Sequence, residues 1–325
     1  MADLLEPGTV IKPQMDKNKA IKLALDLYGL KATNVKEFNS YDDRNYFFKI
    51  DIETGIDNDN ISKEDIFPEG YILKVTNSLD SKDMNSTVGQ NEMILHMAKC
   101  NMDVPMPIKN KNGDYVSLEK FEFSNESDQW QANNEDKTTE YKEHLVRILK
   151  FVPGKILYDV DPWLPRHFFE AGKFAAEMDE ALKDFNHPAY DKKNLIWFLS
   201  SIPQVKNFLH AITDEQRSSM CKDIFDEFSD KVMSIKESLE TGIIHGDFNE
   251  QNILVRPLKN DPEQYEIFGV IDFGDSQKNP YIFELAITIM YMMTKCEVID
   301  PNEVGGKSFF FSFVINSMSP RDDSQ

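Results

Sequence analysis

The sequence predicts an α+β fold of two lobes: a small N-terminal lobe built on an antiparallel sheet with one main helix, and a larger, mostly helical C-terminal lobe. Three observations carry that expectation. At 325 residues the chain is too long for one ordinary core. Runs that read as strands, separated by polar turns, dominate the first 150 residues. From Leu164 onward apolar residues recur at helical spacing instead. The expected division is 1–150, 151–306 and a short divergent end, 307–325.

In the first lobe, residues 15–30 read as an amphipathic helix with Ala20, Ile21, Leu23, Ala24, Leu27 and Tyr28 on one face and Gly29 closing it. Residues 35–39, a polar turn and residues 46–50 form a hairpin. Its turn, Ser40-Tyr41-Asp42-Asp43, lacks a Gly-rich loop. Residues 57–69 are an acidic insertion, expected as a solvated loop, before the strand Tyr71-Ile72-Leu73-Lys74-Val75. A lysine within an apolar strand is costly to bury alone, so Lys74 needs a counter-charge. The helix expected over 87–99 offers Glu92 at the edge of its stripe of Met93, Ile94, Met97 and Ala98. Residues 115–119 and 144–152 read as further strands, the second closed by Pro153-Gly154, and a polar run lies between them.

In the second lobe, Phe168, Ala171, Phe174, Ala175, Met178 and Leu182 mark a core helix, and further helical segments follow over 205–239. Residues 281–294 are nearly all apolar yet too short to span a bilayer, so they are expected as a buried helix.

Composition narrows the chemistry. A hydrophobic content of 41% with 28% charged residues is that of a globular protein. The net charge of -20 argues against nucleic acid or an anionic membrane as partner, since both require basic patches. Cys100, Cys221 and Cys296 lack metal-ligand spacing and suggest free thiols in a reducing compartment. No targeting segment or membrane span is evident, and the cytoplasm is the expected location.

The chemistry-bearing stretch is Ile243-Ile244-His245-Gly246-Asp247-Phe248-Asn249-Glu250-Gln251-Asn252-Ile253-Leu254-Val255, followed by Val270-Ile271-Asp272-Phe273-Gly274-Asp275. Phosphoryl transfer needs a carboxylate to orient a hydroxyl and take its proton, and hard oxygen ligands holding Mg²⁺ on the phosphates. Asp247 suits the first task; Asn252 and Asp272 suit the second. A lone His-x-Asp means little, but His-x-Asp-x-x-x-x-Asn followed by a strand and Asp-Phe-Gly is specific. His245 reads as packing for the turn. Asp275 reads as a helix N-cap for the segment after it or as a second metal-side carboxylate, the cap being favoured. Beside this motif, Lys74 and Glu92 read as the strand lysine and helix glutamate that grip nucleotide phosphates in a protein-kinase-like plan. In that plan residues 148–151 connect the lobes and offer backbone groups to the base.

The His-Gly-Asp-x-x-x-x-Asn and Ile-Asp-Phe-Gly-Asp motifs, with Lys74 and Glu92 upstream, resemble the aminoglycoside phosphotransferase family of small-molecule kinases. The hairpin turn, the Lys74 strand, Arg147-Ile148-Leu149, Val152-Pro153-Gly154 and residues 283–293 narrow the resemblance to the members that phosphorylate hydroxylysine. It runs from about residue 20 to Gly306.

The resemblance implies transfer from GTP, with ATP as the other candidate donor, to the hydroxyl of 5-hydroxy-L-lysine. It makes Asp247 the proton acceptor, Asn252 and Asp272 the Mg²⁺ ligands, and Lys74 with Glu92 the phosphate clamp. Ser40, Asp42, Ile148 and Leu149 are the further candidate donor contacts. Choline, ethanolamine, homoserine or an aminoglycoside stay open as acceptors, and so does a non-catalytic nucleotide-binding product. The family continues beyond the apolar helix, whereas residues 307–325 depart from its pattern. That departure is consistent with an unspliced intron and would leave apolar surface on residues 282–293 uncovered.

Overall fold

A computed structural model describes residues 9–61, 66–123, 140–192 and 195–296. Most of the polar run before residue 140, part of the acidic insertion and the whole divergent end lie outside the described residues. The chain forms two compact units, one of Leu5–Leu95 with Pro105–Pro153, the other of His96–Val104 with the described residues from Gly154 onward. Residues 96–104 join the second unit because Asp103 bridges in parallel to Gly269, with the Asp103 carbonyl accepting from Val270 N at 3.3 Å.

In the first unit, helix α1 (Lys17–Tyr28) starts where the Asp16 carboxylate accepts from Lys19 N at 2.9 Å. It stops at Gly29, whose φ of 65° is the left-handed conformation that glycine adopts without penalty. A Cβ there would lie 1.9 Å from the Asp57 carbonyl, so the stop and the close approach both require glycine. Ala20, Leu23, Ala24 and Tyr28 are buried, while Ile21 faces out.

Strands β1 (Ala32–Phe38), β2 (Arg44–Ile50), β3 (Tyr71–Val75), β4 (Ser117–Phe123) and β5 (Glu140–Lys150) form one antiparallel sheet in the order β1-β2-β3-β5-β4. Along β3 the period of two puts Tyr71, Leu73 and Val75 into the core with Tyr46, Phe48, Val146 and Ile148. Lys74 therefore takes the opposite face. Helix α2 (Met84–Lys99) begins three residues earlier than the sequence suggests, and β4 and β5 are displaced from their expected bounds by two to four residues.

In the second unit, helix α3 (Pro165–Leu182) carries Pro165 in its first turn, where no amide hydrogen bond is forfeited. Its inner stripe is Ala171, Phe174, Ala175, Met178 and Leu182. Strands β6 (Lys155–Ile156), β8 (Ile253–Leu258) and β9 (Asp261–Val270) make a three-stranded sheet. Strands β7 (Thr241–Ile244) and β10 (Gln277–Pro280) pair as a separate ribbon. Short helices α4 (Ala189–Lys192) and α5 (Ile202–Val205) precede α6 (Glu215–Lys231), and α7 (Tyr281–Cys296) follows β10.

Helix α7 corrects the expectation of full burial. Phe283, Glu284, Leu285, Thr288 and Met292 are inside, but Ile282 and Met290 are 42% and 49% exposed, because one face of the helix has no described neighbour to cover it. Among the described residues no helix is long and apolar enough to cross a membrane.

Candidate active site

The ladder between β8 and β9 assembles the site. Its register pairs Ile253 with Val270, so the residues just outside the ladder, Asn252 and Ile271, are neighbours, joined by Ile271 N donating to Asn252 O at 3.0 Å. Asp272 is the next residue. Its φ of 63° is left-handed, a conformation uncommon for a non-glycine residue and more accessible to Asp and Asn than to most others. The carboxylate is carried on an exposed residue.

Between β7 and β8 the loop 245–252 is held from four sides. His245 is fully buried; its Nε2 lies 3.0 Å from Ile271 O and its Nδ1 accepts from Asp247 N at 3.2 Å. Its ring packs between Phe248 and Phe273. Burial pushes the imidazole below its usual range, so it is a neutral packing group, as its motif position suggests. Phe248 is wholly buried and stacks on Phe174 of α3, with centroids 5.9 Å apart. Burying such a ring contributes about 2 kcal/mol. Gly246 has φ 80°, and a Cβ there would meet the Asp275 carbonyl at 2.5 Å.

Beneath the turn, the Glu284 carboxylate on α7 accepts from His245 N and, at 3.2 Å, from Gly246 N. Burial raises Glu284 to about 7, with Asp247 acting in the same direction and the backbone donors opposing it.

Asp247 is wired to the loop by amides. Asn252 Nδ2 donates to both the carbonyl and Oδ2 of Asp247 at 2.9 Å, and Asn249 Nδ2 donates to Oδ1 at 2.9 Å. The Tyr291 hydroxyl of α7 lies close enough to the carboxylate to oppose the effect of burial. Burial pushes the Asp247 carboxyl up and nearby Asp272 adds to the rise, against the pull of Asn249, Tyr291 and Asn252. A carboxylate so placed is a stronger proton acceptor than a free one.

With its NH₂ turned onto Asp247, Asn252 keeps Oδ1, a hard oxygen, out of those bonds. Among the described residues no three His, Cys, Asp or Glu side chains converge as a metal cage. One or two protein oxygens completed by phosphate and water are what Mg²⁺ on a nucleotide requires, and the Asn252 and Asp272 oxygens fit it.

The Asp275 carboxylate accepts from Trp197 Nε1 at 3.1 Å, and the chain continues into β10, with α7 beginning only at Tyr281. Asp275 is therefore not a helix N-cap, contrary to the favoured expectation.

In the first unit, Lys74 Nζ lies 3.2 Å from Asp43 Oδ2, and both side chains are largely buried, at 12% and 16% exposure. Asp43 also accepts from Asn77 N at 2.9 Å and Asn77 Nδ2 at 3.1 Å. Asp43 is a partner that sequence reasoning did not name, while Glu92 stands on α2 as an exposed residue. The β3–β5 register puts Arg147 directly opposite Lys74, with the guanidinium held by Asn91 Oδ1 at 2.7 Å and Gln90 Oε1 at 2.8 Å from α2. Two cations facing each other across strands favour an anion nearby.

Ser40 and Asp42 occupy the β1–β2 turn, where Lys12 Nζ reaches the carbonyls of Ser40 and Tyr41 at 2.5 and 3.0 Å. Burial raises Asp42, and Asp43 and Asp80 add to it. Ile148 and Leu149 lie inside β5; Ile148 O already accepts from Ile108 N, Lys150 N donates to Met106 O, and Phe151 N donates to Gly70 O. Several of the backbone groups expected to meet a base are thus used within the unit.

Residues 51–306 match the family described as the phosphotransferase enzyme family. The chain is 31% identical over 305 residues to a hydroxylysine kinase of Xenopus laevis, covering 91% of this chain and 74% of the relative. To the hydroxylysine kinase of Bos taurus it is 29% identical over 300 residues, covering 91% and 73%. Among solved structures, an amicoumacin kinase in complex with AMP-PNP, Ca²⁺ and amicoumacin superposes with a TM-score of 0.62 at 18% identity, over 93% of this chain and 77% of that one. The GDP complex of aminoglycoside 2'-phosphotransferase-IIIa gives 0.53 at 14% identity, over 93% and 90%. These likenesses show the protein-kinase-like α+β fold.

Proposed function

The chain belongs to the phosphotransferase enzyme family, as a small-molecule kinase acting on an alcohol group, and from that premise we propose that it transfers the terminal phosphoryl group of GTP to the hydroxyl of 5-hydroxy-L-lysine in the cytoplasm. The similarity to hydroxylysine kinases over 91% of the chain supports the acceptor, and the Asp247–Asn252–Asp272 cluster supports the chemistry.

Asp247 orients the acceptor O–H and takes its proton as the oxygen bonds to the terminal phosphorus; the bond from that phosphorus to the bridging oxygen breaks and GDP leaves. Asn252 Oδ1 and the Asp272 carboxylate would hold Mg²⁺. When bound, that ion supplies positive charge to the phosphate oxygens. Lys74, oriented by Asp43, serves the donor phosphates, with Glu92, Ser40 and Asp42 as further donor-side residues. The base contacts fall to groups of the Ile148–Leu149 segment not used inside the sheet.

The test is turnover by the purified chain with Mg²⁺, GTP or ATP, and hydroxylysine, choline, ethanolamine, homoserine or an aminoglycoside. Turnover greatest with GTP and hydroxylysine, and lost in Asp247→Asn and Asp272→Asn, supports the proposal. Faster turnover with another acceptor or donor replaces that half of it. Nucleotide binding with no acceptor-stimulated turnover overturns it.

A further inference from the structure

Away from the catalytic cluster, the C-terminal end of α3, the residues before β7 and the start of α7 line a half-open cavity of about 200 Å³. Asp179, Glu180 and Glu240 line it with Lys183, and the side chains of Ala176, Tyr281 and Ile282 complete the wall. None of Asp247, Asn252 or Asp272 contributes. At about 30 Å³ per water, the space holds roughly six waters or a ligand of comparable size.

Asp179 is the unusual member. It is 6% exposed, and neither carboxylate oxygen has a hydrogen-bond partner among the described residues. A buried carboxyl left this way costs free energy that a donor in the cavity would recover. Lys183 pairs with Glu180 at 3.4 Å and Glu240 at 4.0 Å, both at the rim. Burial, then Glu284 and Glu240, hold the Asp179 carboxyl well above the usual carboxylate range, the behaviour of an acid lacking a cation.

The carboxylates are too dispersed to chelate a metal, since no three acidic or other ligating side chains converge among the described residues. A cation with several N–H donors spread over its surface suits dispersed acceptors, and the Ala176, Ile282 and Tyr281 walls suit a hydrocarbon stem.

We propose that this cavity is a binding site for a small organic cation, a primary ammonium or guanidinium group on a short alkyl stem, which donates to Asp179 and Glu240. Occupancy bears on the catalytic loop. Asp179 lies in the field of Glu284, and Glu284 receives the amides of His245 and Gly246, so a cation at Asp179 favours the charged carboxylate that holds the loop.

The test uses the full chain with n-butylammonium, n-butylguanidinium and, as a control without N–H donors, tetramethylammonium, at matched ionic strength, followed by titration calorimetry and thermal unfolding. A saturable heat and a rise in Tm with the first two are expected, absent in Asp179→Asn and with Kd weakened about tenfold in Glu240→Gln, a rim substitution that leaves the core intact. An equal response to tetramethylammonium, or an undiminished response in Asp179→Asn, overturns the proposal. So does a silent wild type beside an Asp179→Asn chain that is more stable, which would make Asp179 a neutral core acid.

Discussion

The Lys74 strand and the catalytic loop both hold charge away from water, and they do so by opposite means. In the first unit charge is matched locally: Lys74 has Asp43, Asp43 has Asn77, and Arg147 has two side-chain carbonyls. In the second unit like charges gather. Asp247 sits near Asp272, Glu284 lies beneath them, Asp179 adds to Glu284, and carboxylate oxygens of Asp179, Glu250 and Glu284 have no hydrogen-bond partner among the described residues. The second unit gathers negative charge that bound cations would offset, which is what a site for a metal-bound phosphate needs.

Five substitutions sharpen that contrast. The largest effect is expected from Asp247→Asn, which keeps the hydrogen-bonding shape and removes the proton acceptor: kcat falls about 10³-fold with donor affinity little changed, read by steady-state kinetics beside nucleotide titration. A loss confined to KM would break the assignment. Lys74→Ala comes next, with kcat/KM for the donor down about 10–100-fold, as for a charge-assisted hydrogen bond. Asp43→Asn follows Lys74 in direction with a smaller loss, and an unchanged Asp43→Asn enzyme would show that Lys74 is oriented by other groups.

Glu284→Gln tests the second unit by pH. In the folded chain Glu284 keeps its proton up to about 7, whereas an ordinary glutamate releases it near 4.5. The folded state therefore binds more protons than the unfolded state across that window, and stability falls as pH rises through it. Denaturant midpoints between about pH 5 and 7 should slope less in Glu284→Gln than in wild type, and parallel slopes would remove Glu284 as the cause. The smallest effect is expected for Tyr291→Phe: a hydroxyl that lowers the Asp247 pKa is lost while the amides of Asn249 and Asn252 remain, so kcat drops a few-fold with substrate KM values unchanged.

The local motifs carried much of this site. His245, Asp247, Asn252 and Asp272 were legible as a motif because their spacing implies a turn between two strands, and the β8–β9 register then joins Asn252 to Ile271, the residue before Asp272. Gly29 was legible as a helix stop because a left-handed residue is a local requirement. Glu284 and Tyr291 were not, since they read as part of an apolar helix and gain their roles by packing under a loop some 40 residues away in sequence. Asp43 was hidden for the opposite reason: it lay in a turn rich in acidic residues, and only the β2–β3 pairing of Asn45 with Lys74 shows that its neighbourhood includes the lysine. Asp275 misled because Asp before a helical pattern commonly caps it, yet β10 intervenes.

What the sequence determined by itself is the set of local choices: strand against helix periodicity, turn residues with left-handed backbone, and a motif whose side chains suit phosphoryl transfer. Those follow from interactions between residues a few positions apart. Tertiary structure alone decided that Asp43 stands beside Lys74, which buried acid supports the catalytic turn and which acid is left unpaired beside a cavity. Such pairings depend on distances between elements far apart in the chain, and electrostatic and desolvation energies vary steeply with those distances.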